Sequence, residues 1–304
     1  MKLIFAGTPE AAVPSLDALA RSGHEIVAVL TRTDAPLGRK RVLTPSPVAD
    51  AAERLGLPVI KANRLDASVT DTIAALQPDL GVIVAYGGLV REPLLSTPRL
   101  GWINLHFSLL PRWRGAAPVQ RALIAGDATT GAAVFQLVAE LDAGPVFDTV
   151  THPVSPGESS GELLATLSVT GATLLLSVVD GLADGTATAV EQTGVPTLAP
   201  KLTIEDARID WTEPADAVSN RIRGVTPEPG AFTTIGDARL KVLGVLPAAD
   251  VIQPPGHIRI DGHRVLAGTG THALELLAVQ PAGKKPMNAL DWWRGISATE
   301  VAAS

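Results

Sequence analysis

The residues best suited to chemistry in this chain are an asparagine, a histidine and an aspartate in two short stretches. Trp102-Ile103-Asn104-Leu105-His106 alternates in character, and Asn104 and His106, two positions apart, share one face if the stretch is a strand. Ala139-Glu140-Leu141-Asp142-Ala143-Gly144 closes a second strand-like stretch, so Asp142 is expected at the same sheet edge as His106. An amide, an imidazole that titrates near neutrality and a carboxylate, brought together, can polarise a carbonyl and manage a proton. Taken alone, His106 reads first as a histidine satisfied at the end of a core strand. The stretch that follows changes the reading. Ser108-Leu109-Leu110-Pro111-Arg112-Trp113-Arg114-Gly115-Ala116-Ala117-Pro118 combines prolines, a tryptophan and two cations, which is too apolar and too charged for a plain connection.

Positioning such a set requires a sheet. Lys2 to Ala6, Glu25 to Thr31, Pro58 to Lys61, Asp79 to Ala85, Trp102 to His106 and Ala132 to Leu137 read as strands with helices between them, the first from Pro9 to Arg21. This β-α-β rhythm predicts a Rossmann-like α/β domain, a mostly parallel sheet covered on both faces. In such sheets ligands bind beyond the carboxyl ends of the strands, where Asn104 and His106 fall. The first turn is not a dinucleotide site. Gly7-Thr8-Pro9-Glu10 lacks the G-x-G-x-x-G spacing, and Glu10 puts negative charge where a pyrophosphate would sit. Thr8 is expected to cap the helix, with Pro9 at its first position.

A long helix is expected from Ser159 to Ala183, then a short strand from Thr188 to Gln192. Thr193 to Lys201, with its prolines and glycine, reads as a linker. Beyond it, Ala231 to Thr234, Leu240 to Val245, Ile258 to Ile260, Arg264 to Ala267 and Ala273 to Val279 are strand-like pieces separated by Gly, Pro and Asp turns. They suit a small OB-like β-barrel, a fold often used for RNA. The expected division is a catalytic domain over residues 1–192, a linker over 193–206 and a C-terminal domain over 207–304.

The composition narrows the classes. With 46% hydrophobic and 18% charged residues, the 304-residue chain is no disordered protein and has ample material for a core. The absence of cysteine excludes disulfides, thiolate catalysis and cysteine-ligated metals, and fits a reducing cytoplasm. No secretory signal is read at the start and no apolar run is read as long enough to cross a bilayer, so a soluble, cytoplasmic protein that does not engage membrane is expected. A net charge of −6 argues against a general nucleic-acid binder, so any RNA contact must come from local basic clusters. One cluster is Arg39-Lys40-Arg41, within a Thr33 to Pro47 connection that is long for such a sheet; its ordinary reading is a solvated, mobile loop.

The pattern Asn104-x-His106-x-Ser108-Leu109-Leu110-Pro111, followed by Leu141-Asp142-Ala143-Gly144, resembles that of the 10-formyltetrahydrofolate-dependent formyltransferases. Further stretches resemble the branch of that family that acts on methionyl-tRNA. They include Phe5-Ala6-Gly7-Thr8-Pro9-Glu10, Gly38-Arg39-Lys40-Arg41, Pro111-Arg112-Trp113-Arg114-Gly115-Ala116-Ala117-Pro118, Ala199-Pro200-Lys201-Leu202, Ile209-Asp210-Trp211 and Gly283-Lys284-Lys285-Pro286. The resemblance spans nearly the whole chain. It departs at Arg223 to Pro229, where the family more often has Asn-Pro-Trp-Pro.

The resemblance implies 10-formyltetrahydrofolate as co-substrate, charged initiator methionyl-tRNA as acceptor, no metal, and a monomer. When the amine attacks the formyl carbon, Asn104 would donate to the oxyanion, His106 would accept the amine proton or stabilise the developing charge, and Asp142 would orient and charge the imidazole. An α-amino group with a pKa of about 7.7–8.0 must lose a proton, and a histidine near about 6.5 is matched to that work. The backbone of Ser108, Leu109, Leu110 and Pro111, with the strand end at Ala85, Tyr86 and Gly87, would hold the pterin. Arg39, Lys40 and Arg41 would enter the acceptor end of the tRNA. Arg112, Arg114 and Arg121 would extend the positive path, and Lys201, Arg221, Arg223, Lys284 and Lys285 are further candidate phosphate contacts.

Two other folate-dependent formyltransferases would carry the same catalytic residues. One acts on glycinamide ribonucleotide and is a single domain, lacking everything beyond about residue 200 of this chain. The other acts on sugar-nucleotide amines and shares the length, but the long basic loop stands against it. A non-catalytic RNA-binding protein on the same fold is opposed by the intact Asn104, His106 and Asp142.

Overall fold

Aliphatic runs buried on both faces set the first sheet. In a computed structural model, which describes residues 1–38 and 40–304, its seven strands lie in the order Val146–Pro153, Thr129–Gln136, Trp102–His106, Leu80–Val84, Lys2–Gly7, Glu25–Thr31 and Val59–Lys61. From Val59–Lys61 through Trp102–His106 every neighbouring pair is parallel, and Trp102–His106 then pairs antiparallel with Thr129–Gln136. The expected mostly parallel sheet is therefore present. The chain divides into two units, Met1–Pro118 with Gly131–His152 and Leu164–Ala199, and Val119–Thr130 with Pro153–Leu163 and Pro200–Ser304.

Several elements differ from expectation for local reasons. The first helix runs only from Val13 to Ala20, preceded by a 3-10 turn at Glu10–Ala12. Thr8 does not cap it: the helix begins five residues later, and the Thr8 hydroxyl donates to the Tyr86 carbonyl on a neighbouring segment at 3.0 Å. The helix Pro47–Arg54 does have its cap: Ser46 Oγ accepts from Ala49 N at 3.1 Å, with Pro47 at the first position. The Thr33 to Pro47 connection contains a short antiparallel ribbon, Ala35–Leu37 against Val42–Thr44, in place of a structureless loop. Thr188 to Gln192 is no strand; only Val190 forms a bridge, to Val146.

The helix Ser160–Asp184 corrects the reading that no apolar run is long enough to cross a bilayer. Its 25 residues have a mean hydropathy of 1.7, and length and composition alone would allow a span. Its apolar face is filled by protein: Leu167, Leu175 and Val179 are fully buried. Gly171 faces the strand that carries His106, where a Cβ would stand 3.0 Å from Leu105 Cδ2. Before the helix, Ser159 and Glu162 form a reciprocal capping box, Glu162 Oε2 accepting from Ser159 N at 2.9 Å and Ser159 Oγ from Glu162 N at 3.3 Å.

One residue pair sets the middle of the first sheet. Gly81 and Trp102 are register partners on adjacent strands, and a Cβ on Gly81 would lie 2.1 Å from two atoms of the indole ring. The ring occupies the space a side chain at 81 would need, is fully buried, and donates from Nε1 to the Leu94 carbonyl at 2.9 Å.

The second unit is an antiparallel sheet in the order Phe232–Ile235, Ala238–Ala248, Ala273–Pro281, Arg264–Ala267, His257–Asp261 and Glu300–Ala302. An Ile235–Ala303 bridge and reciprocal 2.9 Å backbone bonds between Thr234 and Ser304 join the last strand back to the first, closing the expected barrel. The helices Ala215–Gly224 and Ala289–Trp293 supply Val218, Ile222, Trp292 and Trp293 to its core.

Candidate active site

The alternation of Trp102–His106 sends Leu105 toward the long helix and Asn104 and His106 to the other face. Asp142 arrives from the loop after Thr129–Gln136, and the structure brings it to His106: Oδ2 lies 3.8 Å from His106 Nδ1, with the two side chains 11% and 6% exposed. The other ring nitrogen, Nε2, is 2.8 Å from the Trp113 carbonyl. A carbonyl only accepts, so Nε2 carries the hydrogen, and in the neutral ring the lone pair sits on Nδ1, facing the carboxylate. Phe135 supports the imidazole edge-to-face, with ring centres 6.3 Å apart at 84°. Asp142 is held in turn by the Gly115 N–H, which donates to Oδ2 at 2.7 Å.

The backbone here is strained. Ala85, Trp113 and Asp142 have φ of 49°, 63° and 46°, a region that costs a non-glycine residue about 1–2 kcal/mol and persists only when its surroundings impose it. Asn104 adds a second form of stored cost: its Oδ1 is buried without a hydrogen-bond partner.

Burial pushes the His106 imidazolium pKa below its ordinary 6.5; the Asp142 carboxylate and the Trp113 carbonyl pull upward without overcoming it. The resting ring is thus a neutral base whose new proton, on Nδ1, would meet the Asp142 charge. The same shift is a stability statement. The unfolded chain protonates this histidine below about 6.5 while the folded chain resists, so its contribution is complete above that value and lost as pH falls from it toward the lower folded pKa. The stability of the wild type relative to His106→Gln, from urea unfolding at a series of pH values, is therefore expected to be flat above pH 7 and to decline below about 6.5. A difference that stays flat into the acid range would show that the imidazole titrates normally.

The loop bearing Trp113 and Gly115 is pinned by residues 190–199. Leu198–Ala199 pairs in parallel with Arg114–Gly115, Trp113 N donates to Thr197 Oγ1 at 2.9 Å, and Arg114 N to the Thr197 carbonyl at 2.9 Å. Sequence reasoning missed the partners of His106 and Asp142 because they are backbone groups, a carbonyl at Trp113 and an N–H at Gly115, to which no motif of side chains points.

The other expected site residues fall out differently. The Tyr86 side chain is buried in the core, its hydroxyl donating to the Ala62 carbonyl at 2.7 Å, so only its backbone lies at the strand end. Gly87 follows with φ 79°, its carbonyl accepting from Arg32 Nη2 at 2.7 Å. Ser108 is fully buried and its hydroxyl closes the loop onto the Arg112 carbonyl at 2.7 Å, while Leu109, Leu110 and Pro111 are half-buried. Arg112 is exposed, its guanidinium 5.4 Å from the Trp113 ring centre. Arg114 differs from expectation: it is 13% exposed, held by Gln192 and by Glu140 at 3.3 Å, and tied into the loop rather than displayed to a phosphate. Lys40 and Arg41 are exposed at the ribbon tip, beside the exposed Leu37, Val42 and Leu43; Arg39 lies outside the described residues.

In the second unit Lys201 is exposed. Arg121 pairs with Asp206 at 2.8 Å. Burial would raise the Asp206 carboxyl, but donation from Arg121 and Thr203 holds it down at about 2. Among the described residues no cluster of three or more His, Cys, Asp or Glu could hold a metal ion.

This arrangement on this fold has relatives. Residues 1–179 match the formyl transferase family and residues 201–297 the formyl transferase C-terminal domain. The chain belongs to the formyl transferase family. Within it, the chain is 62% identical over 301 residues to the methionyl-tRNA formyltransferase of Leifsonia xyli subsp. xyli, covering 99% of each chain. It is 60% identical over 305 residues to that of Clavibacter sepedonicus, covering 100% of each. Solved structures share the fold at lower identity. The sugar 3N-formyl transferase WlaRD superposes with a TM-score of 0.70 at 13% identity, over 94% of this chain and 99% of that one. A glycinamide ribonucleotide transformylase 1 from Symbiobacterium toebii gives 0.52 at 19%, over 61% and 88%.

Proposed function

We propose that this chain transfers the formyl group of 10-formyltetrahydrofolate to the free amino group of methionyl initiator tRNA, with Asn104, His106 and Asp142 as its catalytic residues. The observation that carries the reading is a buried base, His106 beside Asp142, two residues along one strand face from the Asn104 side chain. The amine nitrogen bonds to the formyl carbon, and its proton passes to His106 Nδ1 next to the Asp142 charge. The Asn104 amide donates to the oxyanion of the tetrahedral intermediate. The bond from the carbon to the folate nitrogen then breaks, and that nitrogen takes the proton from the imidazolium, returning the neutral ring. The backbone at Tyr86, Gly87 and Ser108 to Pro111 borders this edge and is assigned to the pterin.

The family matches over residues 1–179 and 201–297 support a catalytic domain followed by a C-terminal tRNA-binding domain, with residues 193–199, expected as linker, paired into the first unit. Charged tRNA as acceptor supports a cytoplasmic enzyme, which we take to act as a monomer away from membranes. The test is incubation with formyl-labelled 10-formyltetrahydrofolate and either charged initiator tRNA, charged elongator tRNA, a sugar-nucleotide amine or glycinamide ribonucleotide. Label on initiator methionine is expected; label only on one of the small amines would replace this reading.

Lys40 and Arg41, with Arg39 and Arg112, are assigned to the tRNA. Phosphate contacts release counterions, so affinity that depends on them falls with salt. The triple variant Arg39→Ala, Lys40→Ala, Arg41→Ala is expected to raise the KM for tRNA and flatten its salt dependence while leaving folate binding unchanged. A salt titration giving identical slopes for wild type and variant would move the RNA surface elsewhere.

A further inference from the structure

Residues 190–199 read in the sequence as the end of one domain and the start of a linker, yet one side chain there is turned into the loops that hold the site. Gln192 Nε2 donates to the carbonyls of Asp142 and Gly144, each at 2.8 Å. Its Oε1 accepts from Arg114 Nη2 at 2.7 Å and Nε at 3.2 Å. Both donors of the amide and its acceptor are therefore engaged, and they join two segments far apart in sequence. One segment supplies Asp142. The other supplies Gly115, whose N–H holds the Asp142 carboxylate.

The left-handed backbone at Asp142, with φ of 46°, favours glycine and is tolerated by aspartate better than by most residues, so contacts that hold this turn matter. The hydrogen bond from Gln192 falls on the carbonyl of Asp142 itself. Chemistry also restricts what can stand at this position. Glutamate would keep the Arg114 contact but set an anionic oxygen against two carbonyls. Methionine would match the length and offer neither donor nor a comparable acceptor.

We infer that Gln192 is a positioning residue for formyl transfer, locking the Asp142 turn to the Arg114–Gly115 segment so that the carboxylate keeps its place beside His106 Nδ1. It touches neither substrate nor reacting atoms and acts through Asp142. For its kinetic consequence the inference rests on the function proposed above.

The test compares Gln192→Met and Gln192→Glu with wild type, each also combined with Asp142→Asn. With 10-formyltetrahydrofolate and charged initiator tRNA, kcat is expected to fall about tenfold or more in both single variants, with both KM values within about twofold, as for a misplaced catalytic group. In the Asp142→Asn background the same substitutions should cost less than about twofold, because residues acting as a unit are not additive. A general structural role would give the same loss in both backgrounds. A second readout needs no substrate: the His106 imidazole nitrogen resonances of 15N-histidine-labelled protein, identified by their loss in His106→Gln, should shift in Gln192→Met. Wild-type kcat in both single variants, equal losses in the two backgrounds, or unmoved imidazole resonances would each overturn the inference. A wild-type protein that does not formylate methionyl-tRNA would instead overturn the proposed function, and the resonances alone would then decide the role of Gln192.

Discussion

Alanine at His106, or at Asn104, is expected to lower the turnover of formyl transfer by at least about a hundredfold, the scale on which enzymes lose an acid–base or oxyanion group. The two variants should part company in stability. His106→Ala removes a ring packed against Phe135 and the hydrogen bond from Nε2 to the Trp113 carbonyl, so a cost of about 1 kcal/mol or more is expected. Asn104→Ala deletes an acceptor that is already buried and unpartnered, so the folded state loses little and can gain. Single-turnover formylation with thermal unfolding of each variant measures both effects. Turnover within a few-fold of wild type in a folded His106→Ala protein would mean that the reacting centre lies elsewhere.

The second large effect is expected at Asp142. An amide can present its oxygen to the Gly115 N–H as the carboxylate does, so Asp142→Asn keeps the turn and removes only the charge facing Nδ1. A protonated His106 then sits in a buried site without a counter-ion. Turnover should fall by about a hundredfold or more while folate affinity and melting temperature stay near wild type. Asp142→Ala also releases Gly115 and should lower the melting temperature as well. If Asp142→Asn turned over normally but bound folate poorly, the carboxylate would belong to the pterin site and not to the chemistry.

The parallel strands and the long helix were legible because burial on both faces, or on one helix face, writes itself into local hydrophobic runs. Val146–Pro153 was not: on the sheet edge it exposes Asp148, Thr149 and Thr151, and so reads as a loop. Thr8 looked like a helix cap because its true acceptor, the Tyr86 carbonyl, is remote in sequence. The closure of the barrel at Thr234 and Ser304 is likewise a pairing between distant segments. Within the candidate site, the three side chains proposed for the chemistry could be picked out by type and spacing together with the family resemblance. The groups that hold them could not, since Trp113 and Gly115 act through their backbone and Gln192 ends a stretch that reads only as a short strand running into a linker.

The fit between Gly81 and Trp102 bears on how this protein can change over generations. With the indole filling the space beside a glycine, neither position is free to drift alone. A larger residue at 81 collides with the ring, and a smaller one at 102 opens a void that glycine cannot fill. The permitted path is a paired exchange that conserves volume across the two strands. Because Trp102 begins the strand that ends in His106, this paired constraint sits on the element that carries two of the proposed reacting groups, and the sequence there is held by the shape of its neighbour as well as by the proposed chemistry.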